Sequence, residues 1–136
     1  MDRDDEWLER YAHRPDSEIA AVWIDYQSRP HSPKQDALED PSWWAVDAMM
    51  GLSRDNPLRA LEICFQIARL SARPEVLEML GAGPLEDLLS EDPTLFDALV
   101  FEVTSNPRLA EALRSVWKST IPDDVWLALQ RLIGNA

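Results

Sequence analysis

The clearest alternation of apolar and polar positions lies in residues 57–71. Polar side chains recur there at steps of three and four residues, and apolar side chains fill the positions between them. The polar set continues just past the segment and comprises Arg59, Glu62, Gln66, Arg69 and Arg73. Since an α-helix repeats every 3.6 residues, this spacing predicts a helix from Pro57 to Ser71 that exposes only a narrow stripe to water.

The same period marks a second segment, which opens at Asp16. Four apolar residues fall there at i, i+3, i+4 and i+7, namely Ile19, Val22, Trp23 and Tyr26. They predict an amphipathic helix with one buried face. A shorter helix is predicted before it at residues 5–13, and Pro15 limits that helix because the residue before a proline avoids helical backbone angles.

Prolines mark where most of the remaining helices begin. Seven of them stand at the start of a helical pattern: Pro41, Pro57, Pro74, Pro84, Pro93, Pro107 and Pro122. Proline suits the first helical position, where its missing N–H would have no partner inside the helix. An aspartate or asparagine comes before four of them and can cap the first turn. Besides 57–71, the predicted helices cover residues 41–53, 74–80, 93–104, 107–118 and 122–133, with another opening at residue 84.

Three local features refine this prediction. The segment 41–53 is apolar nearly all round, which places it at the centre of the core. Residues 29–40 carry two prolines and few apolar side chains, so we expect the longest loop there. Gly81 is expected to stop one helix and Gly83 to cap the next.

The predicted fold is all-α. Every strong periodicity is helical, and the spacing between helix starts suits antiparallel neighbours, so we expect an irregular multi-helix bundle of about eight or nine short helices. A HEAT-like stack of helix pairs is the alternative. A chain of 136 residues with 46% hydrophobic composition fits a single helical domain over residues 1–136.

Charge limits the classes of partner. The chain has 25 acidic and 13 basic residues and a formal net charge of −12. Nucleic acid is therefore not expected as a partner, because phosphate binding depends on Lys and Arg. The lone Cys64 excludes an internal disulfide, and the N-terminus resembles no secretory signal. No apolar run approaches the length of a membrane span, so we expect no membrane association and a cytoplasmic location.

The acidic residues concentrate between Arg73 and Arg108, where no Lys or Arg occurs. The eight carboxylates of this window are Glu75, Glu78, Glu86, Asp87, Glu91, Asp92, Asp97 and Glu102. Several of them fall opposite the apolar positions of their helices, so we expect an acidic surface and take these residues as the candidate partner-binding site. Such a surface steers a basic protein. It is also explained by solubility alone.

No pattern for catalysis, cofactor or metal binding is present. His13 and His31 lie in no triad or zinc-ligand spacing. The glycine-rich turn at Gly81 and Gly83 lacks the Lys and Ser/Thr of a phosphate-binding loop. We therefore expect no enzyme, no cofactor and no metal site.

Six tryptophans are many for this length: Trp7, Trp23, Trp43, Trp44, Trp117 and Trp126. Most fall at core positions of their predicted helices. Trp43 and Trp44 are adjacent and point about 100° apart on a helix, so one of them reaches the surface unless another helix covers it. Cys64 is expected to be a buried small hydrophobe.

The octapeptide Ala-Gly-Pro-Leu-Glu-Asp-Leu-Leu at residues 82–89 resembles the signature of an uncharacterised family of small bacterial all-helical proteins. Further similarity lies at residues 23–27, 106–117 and 125–126. The resemblance supports an all-helical fold and implies no activity, cofactor or site residue.

The sequence does not determine a function. We expect an acidic protein–protein interaction module that binds a basic protein, either immunity- or antitoxin-like or regulatory. The alternative is a structural helical scaffold that homodimerises and whose acidity serves solubility only. A hydrolase that uses two carboxylates would need a deep pocket lined by an acid with a raised pKa.

Overall fold

The computed structural model describes Tyr11, residues 13–30 and residues 32–134. Across this part of the chain the regular elements are helical and no strand occurs, which confirms the all-α multi-helix bundle. In chain order the elements are α1 (Asp16–Gln27), α2 (Pro33–Glu39), α3 (Trp43–Asp55), α4 (Pro57–Leu70), α5 (Pro74–Leu80), a π turn (Gly81–Leu85), α6 (Glu86–Glu91), a 3₁₀ turn (Pro93–Leu95), α7 (Phe96–Val103), α8 (Pro107–Leu113) and α9 (Asp123–Gly134). The helix predicted at residues 5–13 lies outside the described residues except for Tyr11 and His13.

Proline-marked helix starts are confirmed for several elements. Pro57, Pro74 and Pro107 occupy the first turn of α4, α5 and α8. The Asn56 side chain accepts a hydrogen bond from the Arg59 backbone N–H at 3.3 Å, as a helix cap does. Asp92 likewise accepts one from Thr94 N–H, at 3.2 Å, ahead of the 3₁₀ turn.

Helix α4 lies at the centre of the fold. It packs against α1, α3, α5, the π turn and α8, and one cluster of buried side chains runs from Ile19 in α1 to Leu129 in α9. Helix α3 is less central than predicted for residues 41–53. It packs against α1, α2, α4, α6 and the π turn, but Trp43 and Trp44 are only partly buried and Met50 is exposed. Cys64 of α4 is buried, as predicted.

The prediction of one long loop at residues 29–40 is wrong, because this segment contains helix α2. Pro33 stands at the first position of that helix, where proline is tolerated. None of the side chains of α2 is buried, so no apolar period revealed it. Polar contacts hold the segment instead: Tyr26 Oη donates to Asp36 at 2.9 Å, and Arg29 forms two hydrogen bonds to Asp40, at 2.5 and 3.0 Å.

Gly81 does not stop a helix and Gly83 does not cap the next one. Both lie inside the π turn, which joins α5 to α6 without a break. Pro84 lacks an N–H and its ring clashes with the fourth carbonyl back in an α-helix, so the wider π turn accommodates it. Gly81 has helical angles, φ −69° and ψ −50°. Its absent side chain matters for packing, because a Cβ there would lie 1.9 Å from the carbonyl oxygen of Ala112.

The helix predicted at 107–118 is shorter than expected. Helix α8 ends at Leu113, and an irregular loop leads from Arg114 to α9. The helical spacing predicted that Trp117 joins the core, but the side chain lies beyond the end of α8 and is 75% exposed. Trp23 is buried, whereas Trp43, Trp44 and Trp126 are partly buried.

Among the described residues, no helix combines the length and the apolar character that crossing a bilayer requires.

Candidate functional site

A cleft of about 620 Å³ opens between helices α3 and α6 and the loop that precedes α9. We call it the acidic cleft, and its lining residues are Asp47, Met50, Gly51, Ser53, Arg54, Glu86, Asp87, Ser90, Glu91, Ser119 and Thr120. Four of these residues are acidic and one is basic. The cleft therefore concentrates negative charge in a concave part of the surface.

Helical spacing brings the acidic side chains together. Asp47 and Arg54 are seven residues apart, or about two turns, so they share one face of α3. On α6, Asp87 and Glu91 are four residues apart and lie on the side away from Leu88 and Leu89, which are buried. The carboxylates thus face outward because the leucines of the same helix fill the core.

The loop before α9 forms the third wall. Glu86 holds it in place, since its carboxylate accepts a hydrogen bond from the backbone N–H of Trp117 at 2.8 Å. Ser119 adopts a positive φ of 44°, and Lys118 pairs with Asp123 at 2.8 Å. Trp117, which is exposed, stands two residues before Ser119 in this loop.

Two of the acids have a raised pKa. Partial loss of hydration raises the pKa of Asp87, and the nearby charges of Glu86 and Glu91 raise it further. Burial also raises the pKa of Asp47, although a hydrogen bond from Trp43 opposes the shift. Both shifts mean that the ionised carboxylates are less favourable there than in water, so a positively charged group beside them would be stabilised.

The eight carboxylates predicted as a partner site are not gathered in one place. Glu86, Asp87 and Glu91 line the acidic cleft. Glu102 forms an ion pair with Arg69, and Asp92 caps the 3₁₀ turn.

The other three carboxylates lie outside the cleft. Glu75 is 3.3 Å from the guanidinium of Arg73, while Glu78 and Asp97 are exposed. Arg69 is outside the acidic stretch of sequence, yet the fold places it beside Glu102. Arg73, at the edge of that stretch, pairs with Glu75 two residues along the chain. Those two carboxylates are therefore partly neutralised.

Sequence reasoning identified three of the four cleft acids, Glu86, Asp87 and Glu91, and missed the other two walls of the cleft. Asp47 and Arg54 come from α3, and Ser119 and Thr120 come from a loop that was predicted to be the end of a helix and its turn. One signal was available for Asp47: it is a lone carboxylate in an otherwise apolar stretch, Trp43 to Leu52. Nothing local pairs α3 with α6, because that contact depends on the whole fold.

Within residues 13–30 and 32–134, no group of three His, Cys, Asp or Glu side chains is arranged to hold a metal ion. His13 is exposed, and His31 lies outside the described residues. Burial raises the pKa of the Cys64 thiol, so it stays protonated and unreactive at neutral pH.

Comparison with known proteins gives one match. No curated protein and no solved structure matches the chain. A family model described as a family of unknown function, DUF6869, matches residues 32–135, which is most of the chain. This match confirms the resemblance to an uncharacterised family, and the chain belongs to the DUF6869 family of unknown function.

Proposed function

We propose that the protein is a non-catalytic interaction module that binds a basic protein through the acidic cleft. One observation carries the proposal: Asp47, Glu86, Asp87 and Glu91 converge on a single cleft in which Arg54 is the one basic residue. A concave acidic surface focuses the electrostatic potential and accelerates association with a cationic partner. The net charge of −12 adds to that attraction over longer range.

The raised pKa values of Asp47 and Asp87 support this proposal. A carboxylate that has found an internal cation has a lowered pKa, as Asp40 has, where hydrogen bonds from Arg29 and from Ser42 N–H lower the pKa to about 2. Asp47 and Asp87 show the opposite shift. A lysine or arginine from a partner would supply the missing positive charge.

Trp117 favours a protein as the partner. It is 75% exposed although tryptophan is usually well covered. Exposed tryptophans are frequent hot spots in protein interfaces, and their rings bind cationic side chains. An acidic cleft in which Glu86 bonds the backbone of an exposed tryptophan fits a lysine- or arginine-rich surface. Covering such a surface, as immunity proteins and antitoxins do, is the biological role that we propose, with regulation of a basic protein as the broader form.

Charge reversal tests the proposal. The immobilised protein is used to capture proteins from a lysate of the cells that encode it, alongside the triple variant Asp87→Lys, Glu91→Lys, Asp47→Lys. A matched control reverses three exposed acids outside the cleft: Glu62, Asp97 and Glu111. We expect a basic protein that the wild type and the control retain and the cleft variant loses. If the cleft variant and the control lose the basic protein equally, the cleft is not the binding surface.

A homodimeric scaffold is the second candidate, and the exposed aromatic residues favour it. Phe101 is 82% exposed and Trp117 is 75% exposed, and a second copy could cover either ring. The molar mass in dilute solution distinguishes the two candidates. A stable dimer that Phe101→Ser or Trp117→Ser dissociates, together with no captured basic protein, would support the scaffold.

A two-carboxylate hydrolase keeps one supporting observation, because Asp47 and Asp87 have raised pKa values and line one cleft. General acid catalysis requires such an acid. Hydrolysis of a glycoside or peptide substrate that Asp47→Asn and Asp87→Asn both abolish would favour this reaction class over the interaction module.

A further inference from the structure

A second, smaller cavity of about 160 Å³ opens beside the acidic cleft. We call it the methionine pocket, and its lining residues are Trp23, Gln27, Val46, Met49, Met50, Ser53, Met79, Gly83, Pro84 and Asp87. Met50, Ser53 and Asp87 line both cavities. One ligand could therefore bind in the pocket and contact the carboxylates of the cleft at the same time.

Methionines dominate the pocket. The chain has four methionines, and Met49, Met50 and Met79 all line this cavity, although they come from two helices, α3 and α5. Met50 is 49% exposed and Met79 is 38% exposed. Flexible, polarisable methionine side chains adapt to an inserted group and are typical of surfaces that bind apolar side chains. Trp23, which is buried, forms a more rigid part of the wall.

Gln27 supplies an independent indication of a ligand. Gln27 lines the pocket and is only 7% exposed, yet its buried Oε1 atom has no hydrogen-bond partner among the described residues. Buried polar atoms in folded proteins almost always have a partner. An amide oxygen without a partner in a mostly apolar pocket favours an incoming group that carries a hydrogen-bond donor.

We propose that the methionine pocket receives one aromatic side chain with a hydrogen-bond donor, tryptophan or tyrosine, from the basic partner, next to a lysine or arginine that enters the acidic cleft. This inference rests on the proposed function. The apolar lining favours a ring, and the oxygen of Gln27 favours an indole N–H or a phenol O–H. A charged group needs a counter-charge when it loses its hydration, so the cation belongs beside Asp87, which lines both the pocket and the cleft, and the ring belongs against the methionines.

Tryptamine is a probe of this chemistry, because it joins an indole to an ammonium group through two carbons. Its binding is followed by NMR of protein labelled at the methionine methyl groups. We expect saturable shifts of the Met50 and Met79 signals. Phenethylamine lacks the ring donor and 3-indolepropionate reverses the charge, so each should bind about threefold to tenfold more weakly.

Two substitutions at neighbouring positions localise the binding. A Cβ at Gly83 would meet only the sulfur of Met79, at 3.7 Å, so Gly83→Leu fills the pocket without striking the backbone. Ala82→Leu adds the same side chain at an exposed position of the same π turn and serves as the control. We expect the methyl shifts to disappear in Gly83→Leu and to persist in Ala82→Leu. Equal binding by both variants would overturn the proposal.

Gln27→Leu tests whether binding depends on a hydrogen-bond donor in the ligand. It also provides a second test of the pocket if Gly83→Leu fails to fold. It should make tryptamine and phenethylamine bind equally, whereas a preserved preference for tryptamine would contradict the role of Gln27. If tryptamine leaves the methionine signals unchanged while capture of the basic protein still depends on the cleft acids, this inference fails and the proposed function stands. If tryptamine binds but the cleft variants capture the same proteins as wild type, the proposed function and the occupant named here are both wrong.

Discussion

Replacing Gly81 with alanine tests the packing of the π turn against α8. In an ordinary helix the change would stabilise the protein by about 0.5–1 kcal/mol, because glycine loses more backbone entropy on folding. Here the new Cβ would lie 1.9 Å from Ala112 O, 3.0 Å from Ala112 C and 3.0 Å from Ser115 Cβ. Real carbon atoms do not approach a carbonyl oxygen so closely, so the π turn and α8 must separate.

The cost of that separation exceeds the gain. Overpacking a close contact costs about 1–3 kcal/mol. The displaced Ala112 oxygen also accepts the backbone hydrogen bond of Ser115 at 3.0 Å, and weakening this bond adds about 1 kcal/mol. We therefore expect Gly81→Ala to lower the free energy of unfolding by about 2–3 kcal/mol, which corresponds to a fall of about 10 °C in Tm for a domain of this size.

Urea unfolding followed by tryptophan fluorescence measures the effect. Gly83→Ala is the matched control, because it lies in the same turn and its Cβ would meet only Met79 Sδ at 3.7 Å. The control should be neutral or more stable than wild type by about 0.5–1 kcal/mol. If Gly81→Ala proves as stable as Gly83→Ala, the close approach of the π turn to Ala112 is wrong.

Three further substitutions probe α2, the cleft and its border. Tyr26→Phe removes the hydrogen bond to Asp36 and should cost about 1 kcal/mol, with faster amide hydrogen exchange in α2; unchanged exchange would show that this bond does not hold the helix. Asp87→Asn should raise the free energy of unfolding at about pH 7, because the folded state raises the pKa of Asp87 and so disfavours its charged form. The stability difference between the variant and the wild type should shrink toward about pH 4, as wild-type Asp87 takes up a proton. A stability difference that does not depend on pH would contradict this. Trp117→Ala should change the free energy of unfolding in urea by less than about 0.5 kcal/mol, since the side chain is 75% exposed. The same variant should bind a captured partner at least about tenfold more weakly. Full binding would exclude Trp117 from the interface.

Periodicity and proline positions predicted the helices that bury an apolar face. Helix α4 was recognisable because its polar residues repeat at helical spacing, and Asn56 before Pro57 marked its start. Helix α2 was not recognisable by these signals, because it buries no side chain and depends on contacts with Tyr26 and Arg29. Its stability comes from polar pairs at longer range, which a local pattern does not record.

The π turn shows a second limit. Considered locally, Gly81 favours the end of one helix, and Gly83 and Pro84 favour the start of the next. In the fold, Pro84 is accommodated by the wider turn, and Gly81 is needed because α8 passes close to it. The reason for the glycine therefore lies about thirty residues away along the chain.

The candidate site could be predicted only in part. Glu86, Asp87 and Glu91 were identified as outward-facing acids because Leu88 and Leu89 of the same helix had to face the core. Their convergence with Asp47 and the pairing of Glu102 with Arg69 depend on how distant helices pack. Sequence charge alone therefore located three of the four cleft acids, missed the walls formed by α3 and the loop, and overestimated the extent of the acidic surface.

Carbodiimide cross-linking of the captured basic partner tests the central claim most directly, because the reagent joins a carboxylate to a lysine amine only when the two are in contact. Mass spectrometry then identifies the joined residues. The acidic cleft predicts cross-links at Asp47, Asp87 or Glu91. Cross-links confined to Asp97, Glu111 or Asp124, which lie outside the cleft, would contradict it.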